Sequence, residues 1–342
     1  MEELDKMNLF DKSAVIIVTY NCNDNLTKTC LELLKANKGL EIIVVDNNSC
    51  DGTPEFIEEN FPFVKLIKNK NNNGFGAGVN LGINETKREY VVVLNPDTKV
   101  MDNTIIELLK PLKNQDKLIT TPKILRYDGS KISACGNVEH FTGLAFSKGL
   151  GAESDAFNEF EFVNGLSGGC FAMKRNNYID LGGFNEKFFL YMEDAELSWK
   201  ANVNGYKILY VPSSVVYHNH ILKVDPKKIY YLEKGRYMVL RIFLTDKDYL
   251  IFLPSLIITE ILTWGYSILS GYDGIKFKFK GLKEGITVNI TKIDSNKKEL
   301  FKSLDFRIPE DQLDYGLLSK VLKRFANWIY GVNYIIYIML LY

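Results

Sequence analysis

The 342-residue chain has no net charge, since 42 Lys and Arg balance 42 Asp and Glu. No basic run is dense enough to mark a nucleic-acid surface. Its five cysteines, Cys22, Cys30, Cys50, Cys135 and Cys170, form no C-x-x-C pair, and several sit in apolar runs. That usage points away from disulfides and zinc, toward reduced core thiols in a cytosolic compartment. The N-terminus, Met1-Glu-Glu-Leu-Asp-Lys6, lacks the apolar stretch of a secretory signal. Internal repeats and low-complexity linkers are missing too. What is present is ordinary globular composition, 46% hydrophobic and 25% charged, with a high aromatic share of 13%. So many Tyr and Phe hint at a membrane interface or sugar-binding surfaces.

The first half alternates strand and helix patterns. Strands are expected at Ser13–Thr19, Glu41–Asp46, Val64–Ile67 and Tyr90–Leu94. Helices are expected over about Leu26–Lys38, from Thr53-Pro54-Glu55 onward, and over Ala77–Thr86. Continuous β-branched strands at this spacing imply an α/β fold with a parallel sheet buried on both faces. In such sheets ligands bind beyond the carboxyl ends of the strands. Polar residues cluster at those ends: Thr19-Tyr20-Asn21, Asp46-Asn47-Asn48-Ser49 and Asn95-Pro96-Asp97. Further on, a helix is expected from about Asp194 to Asn204 and a strand over Lys207–Val211.

Each cluster alone is also what a polar turn looks like. Together, at neighbouring strand ends, they read as contacts to a base and ribose. Asn73-Gly-Phe-Gly-Ala-Gly-Val-Asn-Leu-Gly82 places Gly74, Phe75, Gly76 and Asn80 before or within a helix. Its spacing is not that of a dinucleotide fold, but glycines let a backbone approach a ligand and a helix N-terminus favours anions. Pro96 ends its strand, so Asp97 is expected just outside the sheet edge, a hard oxygen ligand for Mg²⁺ or Mn²⁺ or a simple turn residue. Glu193-Asp194 opens a helix after an apolar, aromatic run. Acidic residues there complement the helix dipole. Flanked by Phe188, Phe189, Tyr191 and Trp199, they also suit a general base with a raised pKa. Glu196 reads as a solvated helix residue. His218, in a polar patch seven residues past Val211, is favoured over His220 as a partner for Asp97 on a metal or diphosphate.

Val18-Thr-Tyr-Asn21, Val45-Asp-Asn-Asn-Ser49, the glycine loop, Leu94-Asn-Pro-Asp97, Gly168-Gly169, Gly182-Gly-Phe184, Tyr191-Met-Glu-Asp194 and Val216-Tyr-His218 together resemble glycosyltransferase family 2. The likeness is to its rhamnosyltransferase-like branch and covers about residues 12 to 240. It implies a GT-A type fold and inverting transfer of a sugar from a nucleotide diphosphate donor such as a UDP- or dTDP-sugar. By this resemblance Asp46 contacts the nucleoside, Asn95 and Asp97 stand at the donor's diphosphate, Asp97 holds the metal with His218, and Asp194 beside Glu193 is the base. Gly168, Gly169, Tyr191 and Trp199 would then line the acceptor side. The acceptor is expected to be a glycan or lipid-linked hydroxyl in cell-surface polysaccharide synthesis.

Residues 1–240 are thus expected to form the transferase domain and 241–342 a helical, membrane-associating extension. Tyr249–Ser270 is long and apolar but carries Pro254 and Glu260, and Trp328–Tyr342 is shorter. Either they pack as core helices, or they hold the protein at the cytoplasmic face of the membrane with Lys276, Lys278 and Lys280 toward anionic lipid. Two competitors remain. A sugar nucleotidyltransferase would want a glycine-rich basic loop after the first strand, which Thr19-Tyr-Asn-Cys22 is not. A non-catalytic nucleotide-sugar scaffold would not need both Asp97 and Glu193-Asp194.

Overall fold

The computed structural model describes residues 7–219, 225–293, 297–312 and 316–340. Along the first part β1 (Ser13–Thr19), α1 (Asn25–Lys35), β2 (Glu41–Asp46), α2 (Thr53–Asn60), β3 (Lys65–Lys68), α3 (Phe75–Asn84) and β4 (Tyr90–Leu94) alternate. The middle adds β5 (Thr98–Val100), α4 (Thr104–Leu109), β6 (Leu118–Arg126), β7 (Ile132–Ala134), β8 (Asn137–Glu139), β9 (Ala145–Ser147), β10 (Glu161–Val163), β11 (Cys170–Lys174), α5 (Arg175–Asp180), α6 (Glu193–Val203) and β12 (Lys207–His218). Helices follow: α7 (Pro226–Phe243), α8 (Asp246–Leu269), α9 (Gly271–Thr287), α10 (Lys297–Ser303) and α11 (Leu317–Leu340).

The main sheet runs β10-β12-β6-β11-β4-β1-β2-β3. β1 is parallel to β2 and β4, β2 to β3, and β6 to β12, while β11 runs against both β4 and β6. A mostly parallel sheet results, as the alternation of strands and helices requires. Because side chains alternate along a strand, β1 and β4 feed two cores. Val15, Ile17, Val92 and Leu94 face one, which α1 covers through Cys30, Leu31 and Leu34. Ala14, Ile16, Val91 and Val93 face the other, which α3 covers through Val79 and Ile83. α3 lies so close to the sheet that a Cβ at Gly82 would stand 2.5 Å from Ile16 Cγ2.

The C-terminal helices build a third core on Phe141, Phe188, Met192 and Trp199. α7 straddles the expected boundary at residue 240, and it packs against α9 through glycines: a Cβ at Gly281 would lie 2.6 Å from the Tyr230 carbonyl oxygen. One further expectation fails here. The Lys276-Phe-Lys-Phe-Lys280 stretch is helical, and Lys278 is completely buried, paired with Glu233 at 2.8 Å. Lysines two apart lie 200° apart on a helix and cannot share one face.

Candidate active site

Two pieces of chain meet at the first half of the site. β5 pairs antiparallel with β12, with Thr98 opposite His218. Asp97, just before β5, therefore meets the last residue of β12. His218 Nε2 lies 3.1 Å from Asp97 Oδ1 and 3.3 Å from Asn95 Nδ2. Two expectations are refined. Asp97 does lie outside the strand, in the turn after β4, but the chain re-enters the sheet at once as β5. His218 is not in a loop past a short strand, because β12 continues through an irregularity between Val211 and Val215. His220 lies outside the described residues.

The second half is the start of α6. Tyr191 (φ 63°) and Met192 (φ 71°) are both left-handed, a conformation that costs on the order of 1 kcal/mol or more per residue and must be held by its surroundings. α7 holds it: a Cβ at Gly235 would stand 2.5 Å from Met192 Cβ. Asp194, half-buried, takes hydrogen bonds on Oδ2 from the Gly168 N–H (3.1 Å) and from Asn137 Nδ2 (3.3 Å). Its Oδ1 accepts from the Ala195 N–H at 2.9 Å. Burial still raises its pKa above the ordinary aspartate value. Glu193 is 5% exposed, and its Oε2 has no hydrogen-bond partner among the described residues. Burial, and then the Asp194 charge, push Glu193 up to about 8.

One dipeptide joins the halves. A Cβ at Gly168 would lie 3.1 Å from Asp194 Cβ, and one at Gly169 would lie 3.5 Å from His218 Cε1. A side chain at Gly168 would crowd Asp194, while one at Gly169 would fill the space against the His218 ring; glycine keeps that space open. A cavity of about 390 Å³ occupies it, lined by Phe75, Asn95, Gly168, Gly169, Tyr191, Glu193, Asp194 and His218. Sequence reasoning missed Asn137, Lys228 and Leu232, which also line it. It missed Glu139 as well, a fully buried acid whose Oε2 accepts from Trp199 Nε1 at 3.3 Å. Burial, then the Asp194 charge, hold Glu139 well above the ordinary glutamate range.

Several expected site residues turn out to be occupied elsewhere. Trp199 is fully buried and packs at a tilt against Phe243, so it is core and not acceptor surface. Glu196 is 2% exposed and paired with Lys200 at 3.1 Å, not solvated. Asn80 ties down the 178–184 turn, donating to the Phe184 carbonyl and accepting from Tyr178 Oη at 2.7 Å. The loop glycines serve packing: a Cβ would meet the Phe189 carbonyl at Gly74 and Phe184 Cβ at Gly76. At the nucleoside rim Asp46 is 1% exposed, with hydrogen bonds from Thr19 Oγ1 (3.0 Å), Ser49 Oγ and the Ser49 N–H. Thr19 and Asp46 thus organise the loop, in which Asn21 and Asn48 are left-handed and Tyr20 is half exposed. His140 is a core residue: burial lowers its pKa to about 3, keeping it neutral.

The family model for "Glycosyl transferase family 2" matches residues 14–182, which include all three strand-end clusters, the glycine loop and Gly168-Gly169. The chain belongs to this family. The N-acetylglucosaminyl-diphospho-decaprenol L-rhamnosyltransferase of Mycobacterium tuberculosis is 27% identical to this transferase over 243 residues, 63% of this chain and 79% of the relative. Among solved structures, GalNAc-T7 with UDP, GalNAc and Mn²⁺ superimposes with a TM-score of 0.58 at 19% identity, covering 80% of the transferase and 56% of GalNAc-T7. Residues 1–349 of Staphylococcus aureus TarS, in complex with UDP-GlcNAc, give a TM-score of 0.54 at 17% identity over 94% of the transferase and 89% of that chain. Such distant likenesses establish the fold, which is GT-A type.

Proposed function

We propose that this glycosyltransferase moves a sugar from a nucleotide diphosphate donor to a hydroxyl of a lipid-linked or glycan acceptor, with inversion at the anomeric carbon. The observation that carries the reading is the Gly168-Gly169 floor, with Asp194 against one glycine and His218 against the next. A sugar over that floor has a carboxylate on one side and the Asp97–His218 pair on the other.

Asp194 takes the proton of the acceptor hydroxyl as its oxygen attacks the anomeric carbon. The Gly168 N–H and Asn137 hold Oδ2 in place, and burial makes the carboxylate a stronger base than usual. A single displacement with no covalent intermediate inverts the centre. Glu193, neutral while protonated, spares Asp194 a second adjacent charge. Asp97 and His218 suit a divalent cation: one carboxylate oxygen and one imidazole nitrogen, already 3.1 Å apart, with water and diphosphate oxygens to complete the shell. Mn²⁺, present with UDP in the GalNAc-T7 structure, accepts such a mixed set, and Mg²⁺ more reluctantly. Such a cation, when bound, supplies charge neutralisation for the departing diphosphate. Asn95 stands beside the same pair. Tyr20, Asn21, Asn48 and Phe75 are the rim residues left for the nucleoside, with Asp46 and Thr19 shaping the loop beneath.

The mycobacterial relative acts, by its name, on a diphospho-decaprenol acceptor. An acceptor of that kind would place this transferase at a membrane surface, reached through residues 241–342. The free cysteines fit the cytoplasmic side. To test the reaction, nucleotide release is followed with UDP-, dTDP- and GDP-sugars, with Mn²⁺ or Mg²⁺ and a lipid extract. Asp194→Asn should lower turnover about 10²–10⁴-fold, the usual contribution of a general base. Unchanged turnover would remove Asp194 from the mechanism, and no turnover with any donor would refute transfer.

A further inference from the structure

α8 is apolar enough to cross a membrane, with a mean hydropathy of 1.4, and only 22% of its most apolar stretch is buried. It packs antiparallel to α11 through polar contacts: Tyr337 Oη to Asp248 (2.9 Å), Ser255 to Asn333 (2.6 Å) and Thr259 to Tyr330 (2.9 Å). Outside this contact each helix also carries a bare apolar stripe. On α8, Leu250, Leu253, Ile257 and Ile261 are exposed; on α11, Phe325, Trp328, Val332 and Ile335. Their spacing of three and four residues draws one stripe down each helix. The only ionisable acid or base between residues 249 and 269 is Glu260, and between 325 and 340 there is none.

Two observations decide what covers this face. A protein partner needs polar groups as well, since interfaces carry about one hydrogen bond per 100–200 Å². The two stripes offer almost no side chain able to make one. Nor can α8 run across the bilayer without a large cost. Glu260, midway along it, binds Arg236 of α7, Tyr237 Oη at 2.7 Å and Lys278 of α9 at 3.4 Å. A spanning helix would break these contacts or carry two cations into hydrocarbon. Exposed Lys320 and Arg324 at the start of α11, which the antiparallel packing sets beside the end of α8, and exposed Lys276 early in α9 supply cations where lipid headgroups would be.

We propose that α8 and α11 lie flat on an anionic bilayer, apolar stripes down, as an interfacial platform and not as a membrane-spanning anchor. The platform sharpens, and rests on, the membrane-surface reading above. α7 joins it to the active site: Lys228 and Leu232 line the cleft, Gly235 backs the Met192 turn, and Arg236 holds Glu260. The cleft is thereby held at a fixed height over the lipid.

The full chain is mixed with sealed phosphatidylglycerol–phosphatidylcholine vesicles and floated. Wild type should float. Ile257→Glu combined with Trp328→Glu should lose about tenfold or more of the bound fraction, while nucleotide release in solution stays within twofold. Lys247, at the start of α8, and Lys276, in α9 beyond the other end of α8, should both react with a membrane-impermeant amine reagent added outside. Shielding of one of them until detergent is added would mean a spanning helix and overturn the flat pose alone. Failure of wild type to float would overturn pose and membrane reading together. A soluble dimer split by the double substitution would assign the face to a second copy and overturn the proposal.

Discussion

Carboxylates are buried in two parts of this molecule under opposite conditions. Where α7, α8 and α9 meet, Glu233 and Glu260 face two cations. Arg236 Nη2 is 2.5 Å from Glu233 Oε1, and Lys278 Nζ reaches both acids, at 2.8 and 3.4 Å. At and just behind the cleft, Glu193, Asp194 and Glu139 are gathered without a salt bridge among the described residues, where both Glu139 and Glu193 keep an oxygen without a hydrogen bond. The first arrangement cancels charge and fixes helices. The second keeps protons on acids that would normally have lost them. Unfavourable burial is concentrated where a proton has to move, and compensated where nothing should move.

The contrast breaks most severely at Arg236. Arg236→Met should destabilise the fold by about 3–5 kcal/mol, because it leaves Glu233 short of a partner in the interior. Adding Glu233→Leu should recover most of the loss, since Lys278 and Glu260 still pair. Urea unfolding of the two variants measures both effects, and equal losses in both would mean that the network is not a charge-compensated unit.

A smaller effect separates the two cleft acids. Protonated Glu193 is already neutral when Asp194 ionises. Glu193→Gln should therefore leave the acid limb of kcat/KM in place, above the ordinary aspartate range, where activity falls as pH drops through the raised Asp194 pKa. It should remove an inflection near pH 8, where Glu193 itself ionises. A loss of activity as large as that of Asp194→Asn would instead make Glu193 the base.

The mildest probe is Glu139→Gln. With its folded pKa raised, Glu139 keeps a proton that the unfolded chain gives up above about pH 4.5. Wild-type stability is therefore eroded as pH rises through that window, and the glutamine, which can still accept from Trp199, escapes the erosion. The variant should melt roughly 2–4 °C higher at pH 8, about 1 kcal/mol, with little gain at pH 4. An equal gain at both pH values would deny that Glu139 is held protonated.

Much of this was open to sequence reasoning because it is local. Continuous runs such as Val91-Val-Val-Leu94 announce a strand buried on both faces, and strand ends must converge in a parallel sheet. The acids at the head of α6 were visible for the same reason. What escaped depends on distant pairing or on helix angle. Asn137 sits on a three-residue strand whose place is set by β9 and by Gly165. No periodicity marks a strand so short. Trp199 looked like a neighbour of Asp194, but five residues along a helix turn it 140° away, into the core with Phe243. Ser198, four residues on, is the one that reaches back, its Oγ 2.7 Å from the Asp194 carbonyl oxygen. Asp46 was rightly placed at a strand end, but nothing local shows that Thr19 and Ser49 occupy its oxygens.

The pairing of β5 with β12 also has a bearing on how the protein is made. Asp97 leaves the ribosome 121 residues ahead of His218, and β5 has no antiparallel neighbour until β12 arrives. A nascent chain that has emerged only through β11 already has its strand-end loops, yet it lacks both His218 and the carboxylates of α6. The leaving-group end and the base end of the cleft are completed within the same last stretch of synthesis, between residues 193 and 218. Contacts of such long sequence separation form late in folding, so a half-made copy has no assembled centre with which to spend a nucleotide sugar.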